Sequence, residues 1–159
     1  PLRYGQLAET QLADLVATRD EEPDASYLLG RLYFQIGAVH AVHREDHEKA
    51  CQWYDKAREH LMKQAPVTNL AAPGRHGDAL VSMGVSYWHV GQRERAVELT
   101  EKGLRLAEQG IRDGLLAETA TAVAKGNLTA MKRALGQATA GGSGQRAQVA
   151  GRPAGRTVR

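Results

Sequence analysis

Cysteine and long apolar runs are largely missing from this sequence. Cys51 is the single cysteine among 159 residues, so no disulfide can form within the chain. No run of about 18 apolar residues occurs, so no membrane-spanning helix is predicted. A chain with one free thiol and no apolar span fits a reducing compartment, and we expect a cytoplasmic location.

The signatures of catalysis are also missing. The glycine-containing stretch 136–144 lacks the Lys-Ser/Thr pair that follows the glycines of a phosphate-binding loop. Neither a nucleophile elbow nor a His-Glu-x-x-His sequence occurs. The sequence therefore predicts a protein that is not an enzyme, with no catalytic residues and no cofactor.

Net positive charge is confined to one terminal segment. Four arginines and no acidic residue lie between 136 and 159, and they exceed the net charge of +3 of the whole chain. The rest of the chain is nearly neutral, so we expect no specific binding to nucleic acid. Because 139–159 is rich in Gly, Ala, Gln and Arg with few large aliphatic residues, it is predicted to be a disordered tail.

What the sequence does contain is a series of apolar stripes with a period of 3.6 residues, which predicts amphipathic helices. The predicted helices cover 4–19, 24–37, 46–63, 78–90 and 93–109, followed by a weaker pair at 113–125 and 127–138. Asp46 is a predicted N-cap. Gly91 and the Gly126-Asn127 pair are predicted to separate helices.

A spaced set of small and aromatic residues occurs twice. The two copies are Gly30, Tyr33, Gly37, Ala50, Tyr54 and Ala57, and Gly84, Tyr87, Gly91, Ala96, Thr100 and Gly103. The spacings agree within each half, but the first copy has about eight more residues between its halves, at 38–45, which should lengthen one or both helices. Small residues opposite large ones let two antiparallel helices pack closely, and such units bury their apolar faces by stacking on one another.

The pattern resembles the tetratricopeptide repeat (TPR) family, whose unit has Leu-Gly-x-x-Tyr in its first helix and spaced Ala, aromatic and Ala in its second. Leu29-Gly30-Arg31-Leu32-Tyr33 and Met83-Gly84-Val85-Ser86-Tyr87 match the first part. The resemblance implies an all-α solenoid of helix–turn–helix repeats over 1–138. Its parts would be a half-repeat at 4–22, a repeat at 23–64 with the insertion 38–45, a loop at 65–76, a repeat at 77–110 and a weak repeat at 111–138.

The resemblance also implies a non-catalytic scaffold that holds a peptide or helical segment of a partner protein in a concave groove lined by the first helices. Carried over by position, the contact residues are Tyr27, Arg31, Phe34, Val85, Trp88 and His89. Phe34 and Trp88 would be anchors, because aromatic residues often dominate interface energies, or they would pack as core between repeats. At the positions where some family members hold acidic C-terminal peptides, only Arg31 could contact a carboxylate.

Two further hypotheses remain open from the sequence. Unpaired apolar ends of the array, at 4–19 or in the weak last pair, could join two copies into a homo-oligomer within a larger protein. Alternatively, His40, His43, His47 and Cys51 would form a row on one face if a single helix carried them, and imidazole and thiolate suit zinc. Since that row would span about 16 Å, one metal ion could use only two or three neighbours.

Overall fold

The computed structural model describes residues 7–8, 10–11, 13–14, 23–63 and 73–149, which contain helices and no strand. The long helices are α1 (Pro23–Ala38), α2 (His47–Leu61), α3 (Pro73–His89), α4 (Arg93–Arg112) and α5 (Ala122–Val149). A π-helical turn, Val39–His43, continues α1, and a 3₁₀ turn, Glu118–Thr121, precedes α5. The predicted all-α class is confirmed. Most of the predicted opening helix, and residues 65–72 of the predicted loop, lie outside the described residues.

Hydropathy separates these helices from membrane-spanning ones. No helix in the described part of the chain is both long enough and apolar enough to cross a bilayer.

The turn between α3 and α4 lies where the sequence predicted it. Gly91 has a φ of 80°, a left-handed conformation that favours glycine. Its N–H donates to the Trp88 carbonyl at 3.1 Å, and the Gln92 N–H donates to the Tyr87 carbonyl at 2.9 Å. These two hydrogen bonds satisfy carbonyls that the last turn of α3 would otherwise leave unpaired.

The starts of α2 and α3 follow their capping chemistry. Asp46 caps α2 as predicted, because its Oδ1 accepts the Lys49 N–H at 2.8 Å. Helix α3 begins at Pro73 instead of the predicted Asp78. Proline suits the first helical position, where no N–H is needed, so residues 73–76 of the predicted loop are helical.

The segment 38–45 lengthens α1, as the sequence indicated. The helix passes through Gly37 and continues as the π-helical turn to His43, so Gly37 does not end it. Glu45, with a φ of 53°, then reverses the chain, and the Asp46 N–H donates to the His40 carbonyl at 3.0 Å. The first hairpin is therefore α1 with its π-helical turn followed by α2.

The two hairpins share a close approach at a glycine, but in a register that differs from the sequence repeat. A Cβ on Gly37 would lie 2.4 Å from the Tyr54 ring, and a Cβ on Gly84 would lie 2.5 Å from Thr100 Oγ1. Tyr54 and Thr100 are equivalent in the repeat, so Gly37, and not Gly30, corresponds to Gly84. Since seven residues make about two helical turns, shifting the alignment by seven residues keeps the glycine on the same face of the helix.

A buried contact between aromatic residues joins the two hairpins. The rings of Tyr54 on α2 and Tyr87 on α3 are 6.5 Å apart, and both side chains are buried. The Tyr87 hydroxyl donates to Asp55 Oδ1 at 2.8 Å, and Arg95 on α4 donates to the same oxygen at 3.0 Å. One carboxylate on α2 thus binds side chains of both helices of the second hairpin.

The predicted weak helix pair after α4 is wrong. The chain leaves α4 at Gly114, with a φ of 70°, where the Leu115 N–H donates to the Gly110 carbonyl at 2.8 Å. Residues 113–117 are not helical, and a single helix then runs through Gly126 and Asn127. A Cβ on Gly126 would meet no neighbouring atom within 4 Å, so this position needs no glycine and marks no break.

Helix α5 also extends beyond the predicted limit of the folded part. Its backbone is helical to Val149, which differs from the disorder predicted from residue 139. Once a helix has formed, each further residue adds one backbone hydrogen bond, and Ala, Gln and Arg are good helix formers. The rest of the predicted tail, 150–159, lies outside the described residues.

Candidate protein-binding cavity

Two of the predicted contact residues line a cavity between α3 and α5. Val85 and Trp88, three residues apart and on one face of α3, border a space of about 360 Å³. The opposite wall is formed by α5 through Asn127, Ala130, Met131 and Ala134. Ala130 and Ala134 are four residues apart, and their short side chains leave room opposite the larger residues of α3.

The base of this cavity is fixed by α4. Met131 is 5% exposed, and its Sδ lies 3.7 Å from the Thr100 hydroxyl. Thr100 in turn donates to the Ala96 carbonyl of its own helix at 2.8 Å. Asn127 is the polar side chain of the cavity wall, and its amide can both donate and accept a hydrogen bond. The cavity is therefore mainly apolar with one polar group at its side.

A cation lies at the edge of this cavity. The Arg93 guanidinium carbon is 4.3 Å from the centre of the Trp88 ring, a cation–π contact. Arg93 also borders an open surface depression of about 450 Å³, lined by 91–95 and Leu135. Within the described ranges no carboxylate forms an ion pair with Arg93. Positive charge is thus available next to the apolar space.

The predicted contact residues on α1 lie elsewhere. Tyr27 is 4% exposed and stacks on His76 of α3 with ring centres 5.4 Å apart. Phe34 stacks on Tyr54 of α2 at 5.8 Å, and Arg31 lies over the Phe34 ring at 5.1 Å. Phe34 therefore packs partly into the core. None of the three lines the α3–α5 cavity.

His89, the sixth predicted contact residue, is paired with another histidine. Its ring stacks on that of His47 at a centroid distance of 4.2 Å and an angle of 9°. His47 Nδ1 and the Ser86 hydroxyl are hydrogen-bonded at 3.1 Å. Burial lowers the pKa of His47 and the nearby His89 lowers it further, while Glu45 and Asp46 act in the opposite direction. Contact with α2 thus covers one face of the His89 ring.

The histidine row that suggested a metal site is divided by the turn at Glu45. His40 and His43 lie on the π-helical turn, while His47 and Cys51 lie on α2 after the chain has reversed. Among the residues with described side chains, no three His, Cys, Asp or Glu groups come together in a way that could hold a metal ion. Burial raises the pKa of Cys51 to about 11, so this thiol is protonated near neutral pH.

The α5 wall of the cavity was missed by sequence reasoning. Asn127 was assigned to a break between helices, and Met131 and the two alanines had no assigned role. The available signal was the four-residue spacing of Ala130 and Ala134 within a helical stripe. This spacing indicates a small-residue face, but not which helix lies opposite.

Comparison with known proteins gives no relative: the chain matches no protein-family model, and no curated protein and no solved structure is significantly similar to it.

Proposed function

We propose that this chain is a TPR-like helical repeat protein that binds a peptide or helical segment of another protein without catalysing a reaction. Two helical hairpins with the same glycine contact, at Gly37 and Gly84, support a repeat. Tyr27 and His76 link the first helices of the two hairpins. Helix α5 contacts both α3 and α4, as the first helix of a third hairpin would.

The observation that carries this proposal is the α3–α5 cavity. Its volume of about 360 Å³ lies within the range of specific ligand sites, and its walls are mainly apolar. Trp88 is half-buried at its edge, and tryptophan is enriched among residues that dominate binding energy. We assign the cavity to one large apolar side chain of a partner peptide, with Asn127 free to bind the peptide backbone.

The positive charge of Arg93 predicts which type of partner residue lies next to that apolar anchor. Arg93 lies against Trp88, is exposed, and has no carboxylate partner within the described part of the chain. A partner carboxylate at this place would neutralise the guanidinium and keep the cation–π contact. The proposed partner segment therefore carries a large apolar residue beside an acidic one.

A selection from a displayed library of random peptides, using the full chain as bait, tests this proposal. We expect the enriched peptides to share a Leu, Phe or Trp next to an Asp or Glu. Ala134→Leu fills the cavity and should weaken their binding at least about tenfold, because the anchor side chain loses its space. Arg93→Gln should weaken binding by a smaller factor and reduce its dependence on salt.

Ala122→Leu is the matched control, since Ala122 is an exposed alanine of the same helix and does not line the cavity. This variant should bind the enriched peptides like the wild type. Peptides that bind both leucine variants equally well, or a selection with no common apolar–acidic pair, would contradict the proposal.

Self-association is a second candidate because apolar side chains are exposed around the 3₁₀ turn. Leu115 is 64% exposed and Val123 is 70% exposed. A second copy could cover them, as expected for the unpaired end of a repeat array. Sedimentation over a dilution series should then show a dimer that dissociates, and Val123→Glu should be a monomer. A monomer at all concentrations would exclude this candidate.

A further inference from the structure

Two buried polar atoms at the N-terminal end of α3 have no hydrogen-bond partner in the part of the chain that the structure describes. They are the Tyr27 hydroxyl and His76 Nδ1. Tyr27 is 4% exposed and His76 is 1% exposed, and their rings stack at an angle of 19°. Nearly all buried polar groups in folded proteins have a partner, so two neighbouring exceptions call for a partner from outside the described residues, such as a water molecule or a bound ligand.

The hydrogen bond made by His76 Nε2 determines whether the unpaired Nδ1 is a donor or an acceptor. Nε2 lies 2.8 Å from the Leu61 carbonyl, and since a carbonyl can only accept, Nε2 carries the proton. In the neutral ring, Nδ1 is then an acceptor with an unused lone pair. The Tyr27 hydroxyl is a donor without an acceptor. The missing group must therefore offer both an acceptor and a donor.

Positive charge lies near both side chains: Arg31 and Arg75 act on Tyr27, and Lys102 and Arg31 act on His76. Arg31 on α1 donates to the Arg75 carbonyl in the first turn of α3 at 3.0 Å. Burial raises the pKa of the Tyr27 hydroxyl, and the nearby charges of Arg31 and Arg75 oppose this shift. No carboxylate pairs with either arginine among the described residues. The positive end of the dipole of α3 lies there too.

We propose that this site, formed by Tyr27, Arg31, Arg75 and His76, binds a phosphate group that carries one proton. The Tyr27 hydroxyl and the two guanidiniums donate to phosphate oxygens, and the phosphate O–H donates to His76 Nδ1. A protonated phosphate is the common biological oxyanion that supplies acceptors and a donor together. Carboxylate and sulfate at neutral pH would leave Nδ1 without a partner.

This site is distinct from the α3–α5 cavity. His76 and Trp88 lie twelve residues apart on α3, which corresponds to about 18 Å along the helix axis. The two proposals can therefore fail separately. Ala134→Leu should leave phosphate binding unchanged, and loss of phosphate binding should not prevent a peptide from entering the cavity.

Backbone amide NMR of the full chain tests the site with inorganic phosphate, added near neutral pH at constant ionic strength. We expect saturable shifts at Arg75, His76 and Gly77, and a weaker response to sulfate, which has no proton to donate. N-acetyl-phosphoserine amide, compared with inorganic phosphate at about pH 6 where a large fraction of the monoester carries one proton, distinguishes the source. Tighter binding of this monoester than of inorganic phosphate identifies a phosphorylated partner residue, and the reverse identifies the free ion.

Variants separate the site from a general attraction to positive charge. Tyr27→Phe and Arg75→Gln should each weaken phosphate binding about tenfold, because each removes one donor to the anion. Arg133→Gln, which removes an exposed arginine of α5, should have no effect. Shifts that stay linear with phosphate, equal binding of sulfate, or equal losses in Arg75→Gln and Arg133→Gln would overturn the proposal.

Discussion

His89 and His47 stack face to face, with ring centres 4.2 Å apart, at the junction of the two helical hairpins. His47 is the first residue of α2, where the helix dipole disfavours a positive charge, and His89 is the last residue of α3, where the dipole favours one. Protonation of both rings would place two positive charges against each other.

We expect the melting temperature to fall as the pH is lowered below about 6.5. Burial lowers the pKa of His47, and also that of His60 and His76, so at these pH values the unfolded chain binds more protons than the folded protein. The neutral histidines contribute their full stabilisation at pH values above the pKa that they have in the unfolded chain. This stabilisation decreases as the pH falls toward the lower pKa values of the folded state.

Thermal unfolding over this pH range, for the wild type and His47→Gln, measures the share of the stack. His47→Gln should show a flatter pH dependence, because one of the histidines with a lowered pKa is gone. His43→Gln is the control, since His43 is exposed on the π-helical turn. Parallel curves for all three proteins would exclude a contribution from the stack.

The unpaired hydroxyl of Tyr27 gives a second prediction. In the absence of ligand, Tyr27→Phe should raise the free energy of unfolding by about 1 kcal/mol, since it removes a buried donor without a partner. Tyr87→Phe should lower it by about 1 kcal/mol or more, because the Tyr87 hydroxyl donates to Asp55 at 2.8 Å. Urea unfolding measures both values. Equal destabilisation by the two substitutions would show that the Tyr27 hydroxyl is paired in solution.

The glycine contacts between helices give a third prediction. A Cβ on Gly84 would lie 2.5 Å from Thr100 Oγ1 and 2.9 Å from the Ala96 carbonyl, and the backbone oxygen cannot move aside easily. Gly84→Ala should therefore destabilise the protein by about 1–3 kcal/mol. Gly126→Ala should stabilise it by about 0.5–1 kcal/mol, because Gly126 lies in a helix with no neighbouring atom in the way.

The same urea experiment distinguishes this packing from a general effect of alanine. If Gly84→Ala is as stable as the wild type, the helices of the second hairpin do not approach as closely as described. If Gly126→Ala is destabilised, a helix break at this glycine, as the sequence first indicated, becomes the better account.

Local capping chemistry was predictable from the sequence, whereas the register between helices was not. Asp46 and Gly91 act through hydrogen bonds to residues within five positions, so their types and places in the sequence were sufficient. Gly30 was matched to Gly84 because the Leu-Gly-x-x-Tyr pattern aligns them. A shift of seven residues preserves the helical face, and only the contact of Gly37 with Tyr54 resolves the ambiguity.

The candidate sites also combine features that were predictable from the sequence with features that depend on how helices pack. Val85 and Trp88 were predicted as peptide contacts because the resemblance to TPR repeats places them on the groove-lining face of a first helix, but the α5 wall depends on how a third helix packs. Gly126 suggested a break, yet glycine in a helix costs only about 1 kcal/mol, which packing by neighbouring residues offsets. The phosphate site joins Tyr27 and His76 from helices far apart in sequence, so no local pattern indicated it.

The buried thiol of Cys51 gives a fourth prediction, which concerns local opening of the core. Cys51 is 5% exposed, and burial and the charge of Asp55 raise its pKa to about 11, against an opposing effect of Arg95. The Cys51 thiolate, and not the thiol, attacks a disulfide reagent and displaces its leaving thiolate, so labelling near pH 8 should be slow and should require that α2 separates from its neighbours.

Gly37→Ala should accelerate this labelling at least about tenfold, because its Cβ would collide with the Tyr54 ring on the same helix as Cys51 and lower the cost of opening. Gly126→Ala, on α5, should label at the wild-type rate. In urea, all three proteins should react quickly with one equivalent of reagent, since each has a single cysteine. Rapid labelling of the folded wild type would mean that Cys51 reaches solvent without opening of the hairpin. Equal labelling rates for the two alanine variants would mean that the contact of α2 with Gly37 does not contribute to keeping the hairpin closed.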